Sequence, residues 1–194
     1  MQPGSHSRVD PAGLREYSVV FTDRALNHMS QRFQQVMREL SDRLKTVYRG
    51  HAVALVPGGD TAGMEAVARQ FVQGRDVLVI RNGWFSYRWS QIFEAGGIAA
   101  RVAVLKARAT HGAHQAPFAP PPIDEVVAAI AEHQPAMVFA PHVETSAGLL
   151  LPDDYLARVA AAVHAHGGLF GLDKLKDVDG TLQRLGEALA RIAG

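Results

Sequence analysis

Four short segments of this 194-residue chain collect residue types that could do chemistry. The first, ValProGlyGlyAspThrAlaGly at 56–63, has glycines that let the backbone turn sharply and approach a ligand. A helical pattern follows it. The free N–H groups and positive dipole end of such a helix attract an anion, and the Thr61 hydroxyl would add a donor. The plainer reading is a strand-to-helix turn capped by Asp60 or Thr61, since neither a Walker nor a GxGxxG pattern is present. The second segment, ArgAsnGlyTrpPheSerTyrArg at 81–88, puts two aromatics side by side where they could cover a planar cofactor, with Arg88 available for an anionic group. Alternatively, Trp84, Phe85, Tyr87 and Trp89 simply pack under a sheet. The third, HisValGluThrSerAlaGly at 142–148, offers a carboxylate and two hydroxyls, residue types that also cap helices and turns. The fourth is Asp173, at the end of the apolar run GlyGlyLeuPheGlyLeuAsp. An acid in that position needs a partner, whether a protonated ring nitrogen, an arginine or a helix N-terminus.

Several classes of chemistry drop out. The chain has no cysteine, so disulfides, thiolate metal sites and cysteine nucleophiles are excluded. Its nine histidines make no metal pattern: His164 and His166 would fall on different helix faces, and His111 and His114 lie in a proline-rich stretch. Metal ligation is therefore not expected. Twenty Lys+Arg against nineteen Asp+Glu leave a net charge of +1, which points to neither nucleic acid nor an acidic membrane. Apolar runs are too short to span a bilayer, and the first residues lack the apolar centre of a secretory signal. A globular protein of the cytoplasm is expected, and 47% hydrophobic residues suffice for a core.

The elements that must position these segments follow a repeated grammar. Residues 1–16 read as an irregular arm. Residues 30–48 carry Phe33, Val36, Met37, Leu40, Leu44 and Val47 at three- and four-residue intervals, one helical stripe. Short apolar runs at 52–56, 76–80 and 136–140 are each followed by a loop and a helical stretch, at 62–72, 85–95 and 153–166. Further strands are expected at 100–105 and 169–172, whereas 107–122, rich in proline, reads as a surface connection. Continuous apolar strands alternating with helices predict an α/β fold: three layers, αβα, around a mostly parallel sheet. Ligands of such sheets sit at the carboxyl ends of the strands, where all four segments fall.

In this order and spacing, the glycine loop, the AsnGly-aromatic loop, the HisxGluThr loop and the strand-terminal Asp resemble the class V aminotransferases. These are pyridoxal 5'-phosphate (PLP) enzymes of fold type I that include the alanine–glyoxylate and serine–glyoxylate aminotransferases. The resemblance covers residues 17–173 and implies part of that fold's large, PLP-binding domain. It implies that Gly59, Asp60 and Thr61 hold the cofactor phosphate and that Phe85, or Trp84 after a one-residue shift, stacks on the ring. By the same resemblance Thr145 lies near the ring oxygen and Asp173 pairs with the pyridinium nitrogen, keeping the ring electron-withdrawing. Two residues depart from the pattern: Asp60 is negative where phosphate would lie, and Ala147 stands at a place that is commonly hydroxylated.

The resemblance further implies a transaminase moving an amino group between a small amino acid and a 2-oxo acid such as glyoxylate or pyruvate, in a homodimer. It also requires a Schiff-base lysine beyond the aspartate, after another helix and strand. The lysines are Lys45, Lys106, Lys174 and Lys176, none in that context, so no catalytic lysine is identified. Residues 174–194 carry Leu182, Leu185, Leu189 and Ile192 at the spacing of an amphipathic C-terminal helix. It would be joined to Asp173 as if an internal segment were missing. A noncatalytic cofactor-binding or dimerisation module of the same family is therefore the alternative.

Overall fold

The computed structural model describes residues 29–173, so the expected arm at 1–16 and the expected helix within 174–194 lie outside the described residues. The chain divides into two units, one holding the described residues up to Leu55, the other those from Val56 onward. In the first, Ser30 Oγ accepts the Phe33 N–H at 3.1 Å and so caps α1 (Gln31–Tyr48), satisfying one of the free donors of the first turn. Arg49 ends the helix in the left-handed conformation, φ 51°. The predicted stripe is present, but its residues are half-buried and none is fully enclosed.

The second unit runs α2 (Asp60–Val72), β1 (Asp76–Arg81), α3 (Trp84–Gly96), β2 (Arg101–Lys106), β3 (Arg108–Ala109), β4 (Phe118–Ala119), α4 (Ile123–His133), β5 (Met137–Pro141), β6 (Val143–Glu144), β7 (Leu149–Leu150), α5 (Asp153–His164) and β8 (Leu169–Asp173). Four strands form one sheet in the order β2-β1-β5-β8, all parallel. The sheet is covered on both faces because its strands are apolar on both. In β1, Val77 and Val79 join one core cluster and Leu78 and Ile80 the other, as side chains alternate. The first cluster packs Ala68 and Val72 of α2 and Trp89, Ile92 and Phe93 of α3 around Phe139, with the Trp89 and Phe139 ring centroids 4.3 Å apart. The second packs Val126 and Ile130 of α4 against Leu156, Val159 and Val163 of α5. There Tyr155 donates to the Pro121 carbonyl at 2.9 Å, and burial, with Glu125 adding its charge, pushes the phenol up to about 12. The α/β, αβα reading therefore holds.

Several local expectations change. Residues 52–56 form no strand despite their apolar composition, and Leu55 and Val56 are exposed. A strand exists only as one side of a ladder, whatever its propensity. The connection at 107–122 contains the β3–β4 hairpin, and the 142–148 loop contains half of the β6–β7 hairpin. Helix α4, absent from the sequence reading, is marked by Ile123, Val126 and Ile130 at helical spacing, with Asp124 and Glu125 in its first turn. Finally, α2 begins at Asp60 rather than Ala62, an acid in the first turn being favourable to the helix dipole.

Candidate functional site

The connections fix where the loops meet. Strands β1, β2 and β5 are each followed at the carboxyl end by a loop, and α2, whose C-terminus feeds β1, opens at that same edge. The centre of this edge is Glu144, only 1% exposed. Its Oε1 accepts the Phe85 N–H at 3.0 Å and the Ser146 hydroxyl; its Oε2 accepts the Ser86 N–H at 2.9 Å and the Ser86 hydroxyl at 2.6 Å. Burial by itself would raise the pKa of this carboxyl. The two hydroxyls and two backbone donors outweigh it and hold Glu144 below the usual carboxylate range. A carboxylate from β6 thus caps the N-terminus of α3 across the sheet edge. Ser146 completes the cap by accepting the Trp84 N–H at 2.8 Å, and Ser86 Oγ accepts the Asn82 and Gly83 N–H groups at 2.9 and 3.1 Å.

Gly83 has to lack a side chain for this docking. A methyl group there would sit 2.5 Å from Ser146 Oγ and 2.7 Å from Glu144 Cγ. In the turn before α2, Gly58 adopts φ 133°, open to glycine and strained for other residues, and a methyl group on it would meet Ala62 Cβ at 2.9 Å.

Around this scaffold lie the residues predicted from sequence. Gly59 is the N-cap of α2 and supplies no side-chain bond, so the first N–H groups of that helix are not capped by its own cap residue. Thr61 Oγ1 accepts from the Arg88 guanidinium at 3.5 Å, which brings a cation beside the turn that carries Asp60. Phe85, on the first turn of α3, keeps 46% of its surface exposed although its N–H is bound by Glu144. Thr145 is exposed between Glu144 and Ser146. Asp173 closes β8, and its carbonyl accepts the His142 N–H at 2.8 Å, tying β8 to the start of the β6–β7 segment. Among the described residues no cation forms an ion pair with its carboxylate. Partial enclosure raises its pKa, and the negative charges of Asp60 and Glu144 raise it further, so these three acids lie within electrostatic reach of one another.

Sequence reasoning missed the role of Glu144, Ser86 and Ser146 in joining two loops. The acid Glu144 and the Ser146 hydroxyl of 142–148 are helix caps, as the plainer reading has it, but they cap α3, about 60 residues earlier in the chain. Nothing local announces that partner. It also missed Asn82, a buried amide whose oxygen and nitrogen have no hydrogen-bond partner among the described residues.

No protein-family model matches the chain. Rat alanine–glyoxylate aminotransferase is 28% identical over 134 residues, covering 68% of this chain and 30% of that enzyme. A subgroup IV aspartate aminotransferase from Thermus thermophilus superposes with a TM-score of 0.59 at 28% identity, over 76% of this chain and 38% of its own. The chain is similar to class V aminotransferases. An alanine–glyoxylate aminotransferase from Nostoc sp. shares the fold at the same TM-score, 0.59, with 24% identity over 76% of this chain and 36% of its own. The sheet and its flanking helices are accordingly those of the fold type I aminotransferases, and the chain spans about a third of the length of these relatives.

Proposed function

We propose that this chain holds PLP at the carboxyl edge of its sheet and belongs to the machinery of a class V aminotransferase. The reaction would move an amino group between a small amino acid and a 2-oxo acid such as glyoxylate or pyruvate. The observation that carries this reading is the convergence of the glycine turn, Phe85, Thr145 and an Asp173 carboxylate that no described cation pairs with on one sheet edge.

The residues present fit the cofactor. Asp173, crowded by Asp60 and Glu144, gains most from a cationic partner and would hold a proton at the ring nitrogen. Phe85 offers an open ring to one face of the pyridine, with Trp84 as the alternative, and Thr145 offers a free-facing hydroxyl to the ring oxygen. The Gly59 turn, the Thr61 hydroxyl and the Arg88 guanidinium would receive the phosphate, Arg88 offsetting the charge of Asp60. Bound PLP supplies an electron sink for the substrate's amino-bearing carbon. Glu144 does not enter the chemistry: it fixes the first turn of α3 and hence the place of Phe85.

A cytoplasmic homodimer is part of the same reading. No helix among the described residues is long and apolar enough to cross a membrane. Because the chain has four lysines, none in the expected context, a noncatalytic cofactor-binding module is the second reading. Titration with PLP followed by absorbance tests the first claim. A protein-induced shift that weakens at least tenfold in affinity in Asp173→Ala is expected, and no spectral change at millimolar cofactor overturns it. Borohydride reduction and intact-mass measurement then separate the two readings: a single reduced lysine adduct favours the enzyme, none the module.

A further inference from the structure

A second cavity opens on the other side of the first turn of α3, between the ends of β1 and β2 and the β3–β4 hairpin. It is an open depression of about 320 Å³, and of the residues assigned above to the cofactor only Trp84, the alternative stacking residue, lines it. Arg81 and Lys106 meet across its floor as direct partners at the ends of β1 and β2. Parallel neighbours in register point to the same face of the sheet, so two positive charges stand side by side. No acid lines the cavity, and neither cation takes part in an ion pair among the described residues. The Arg81 guanidinium instead lies over the Tyr87 ring, 4.9 Å from its centroid, and its Nη1 donates to Ser90 Oγ at 3.5 Å.

The walls are aromatic. Trp84 and Phe118 are 57% and 51% exposed, among the largest apolar side chains left open, and Trp84 lies 5.8 Å from Tyr87, their planes tilted by 48°. Like charges on adjacent strands are unfavourable by themselves and become an asset when an anion sits between them. Open rings beside those cations accept a flat apolar body.

We propose that this cavity binds a small planar aromatic molecule carrying one carboxylate or phosphate, its anion between Arg81 and Lys106 and its ring against Trp84 and Phe118. The site adjoins the one proposed for PLP, shares with it only Trp84, the alternative stacking residue, and does not depend on it.

Calorimetric titration with phenyl phosphate and with benzoate tests this, beside benzyl alcohol (ring without charge) and inorganic phosphate (charge without ring). Both aromatic anions are expected to bind more tightly than either control, with affinity falling as salt is raised. Lys106 is exposed, so Lys106→Ala is expected to fold, checked by an unchanged thermal midpoint, and to weaken both anions roughly fivefold, as loss of one exposed charge contact does. Trp84→Ala should weaken the aromatic anions and leave inorganic phosphate unchanged. Equal affinity for benzyl alcohol, or no effect of Lys106→Ala on a folded variant, overturns the proposal. Because phenyl phosphate shares its phosphate with PLP, Arg88→Ala, at the turn proposed to receive that phosphate, is the second arm. Binding of phenyl phosphate that survives Arg88→Ala but falls in Lys106→Ala belongs to this cavity, and the opposite pattern places it at the cofactor site and overturns the proposal.

Discussion

Changing Glu144 to glutamine keeps the shape of the side chain and removes the charge from the N-terminus of α3. Each carboxylate oxygen accepts one backbone N–H and one hydroxyl. Hydroxyls can rotate to become acceptors, but the N–H of Phe85 or of Ser86 cannot, so the amide nitrogen leaves one buried donor facing another. An unsatisfied buried donor costs about 1–3 kcal/mol. Loss of the anion from the helix terminus adds about 1 kcal/mol. Together Glu144→Gln should destabilise the protein by about 2–4 kcal/mol at neutral pH, lowering Tm by roughly 6–12 °C for a chain of this size. The effect must also depend on pH in one direction. The folded-state pKa of Glu144 lies below that of a free glutamate, about 4.3, so its stabilisation is present above that value and disappears as pH falls through the folded pKa. Urea unfolding of both proteins at pH about 7 and about 3 measures this, and the gap should narrow at the acid end. A loss below about 0.5 kcal/mol at neutral pH, or a gap that does not change with pH, refutes the reasoning.

Asp173→Asn should act with the opposite sign. The folded-state pKa of Asp173 is raised, so it favours the folded state only while protonated and its cost grows as pH rises from the unfolded value of about 3.9 through the folded one. The cofactor-free variant should therefore be more stable than the parent at pH about 7 and equal to it at acid pH, read by urea midpoints; a less stable variant at neutral pH would contradict the crowding of Asp173 by Asp60 and Glu144. Gly83→Ala drives a methyl group into Ser146 Oγ and the Glu144 side chain and should cost about 1–3 kcal/mol, with hydrogen exchange quickening at the Phe85 and Ser86 amides. Retention of slow exchange at those amides would show that the loops can part without loss.

Much of this protein was determined by residue order alone. Valine and isoleucine runs without alternation announce strands covered on both sides, as β1 and β5 are, because burial on two faces leaves no polar face to read. The order of the glycine turn, the aromatic pair, the acid–hydroxyl loop and the terminal aspartate is likewise a local pattern, sufficient to indicate the carboxyl edge of a parallel sheet. Residues 52–56 look just as strand-like, yet they form no strand, since pairing needs a neighbour that propensity cannot supply. The joining of Glu144 to the first turn of α3 was invisible for the same reason: capping is a matter of distance in space, and 58 or 59 residues separate the donors from their acceptor. Tertiary structure alone decided which acid became a buried cap and which kept an open carboxylate. Glu144 meets four donors and ionises readily, while Asp173, partly enclosed and within reach of the charges of Asp60 and Glu144, resists ionisation.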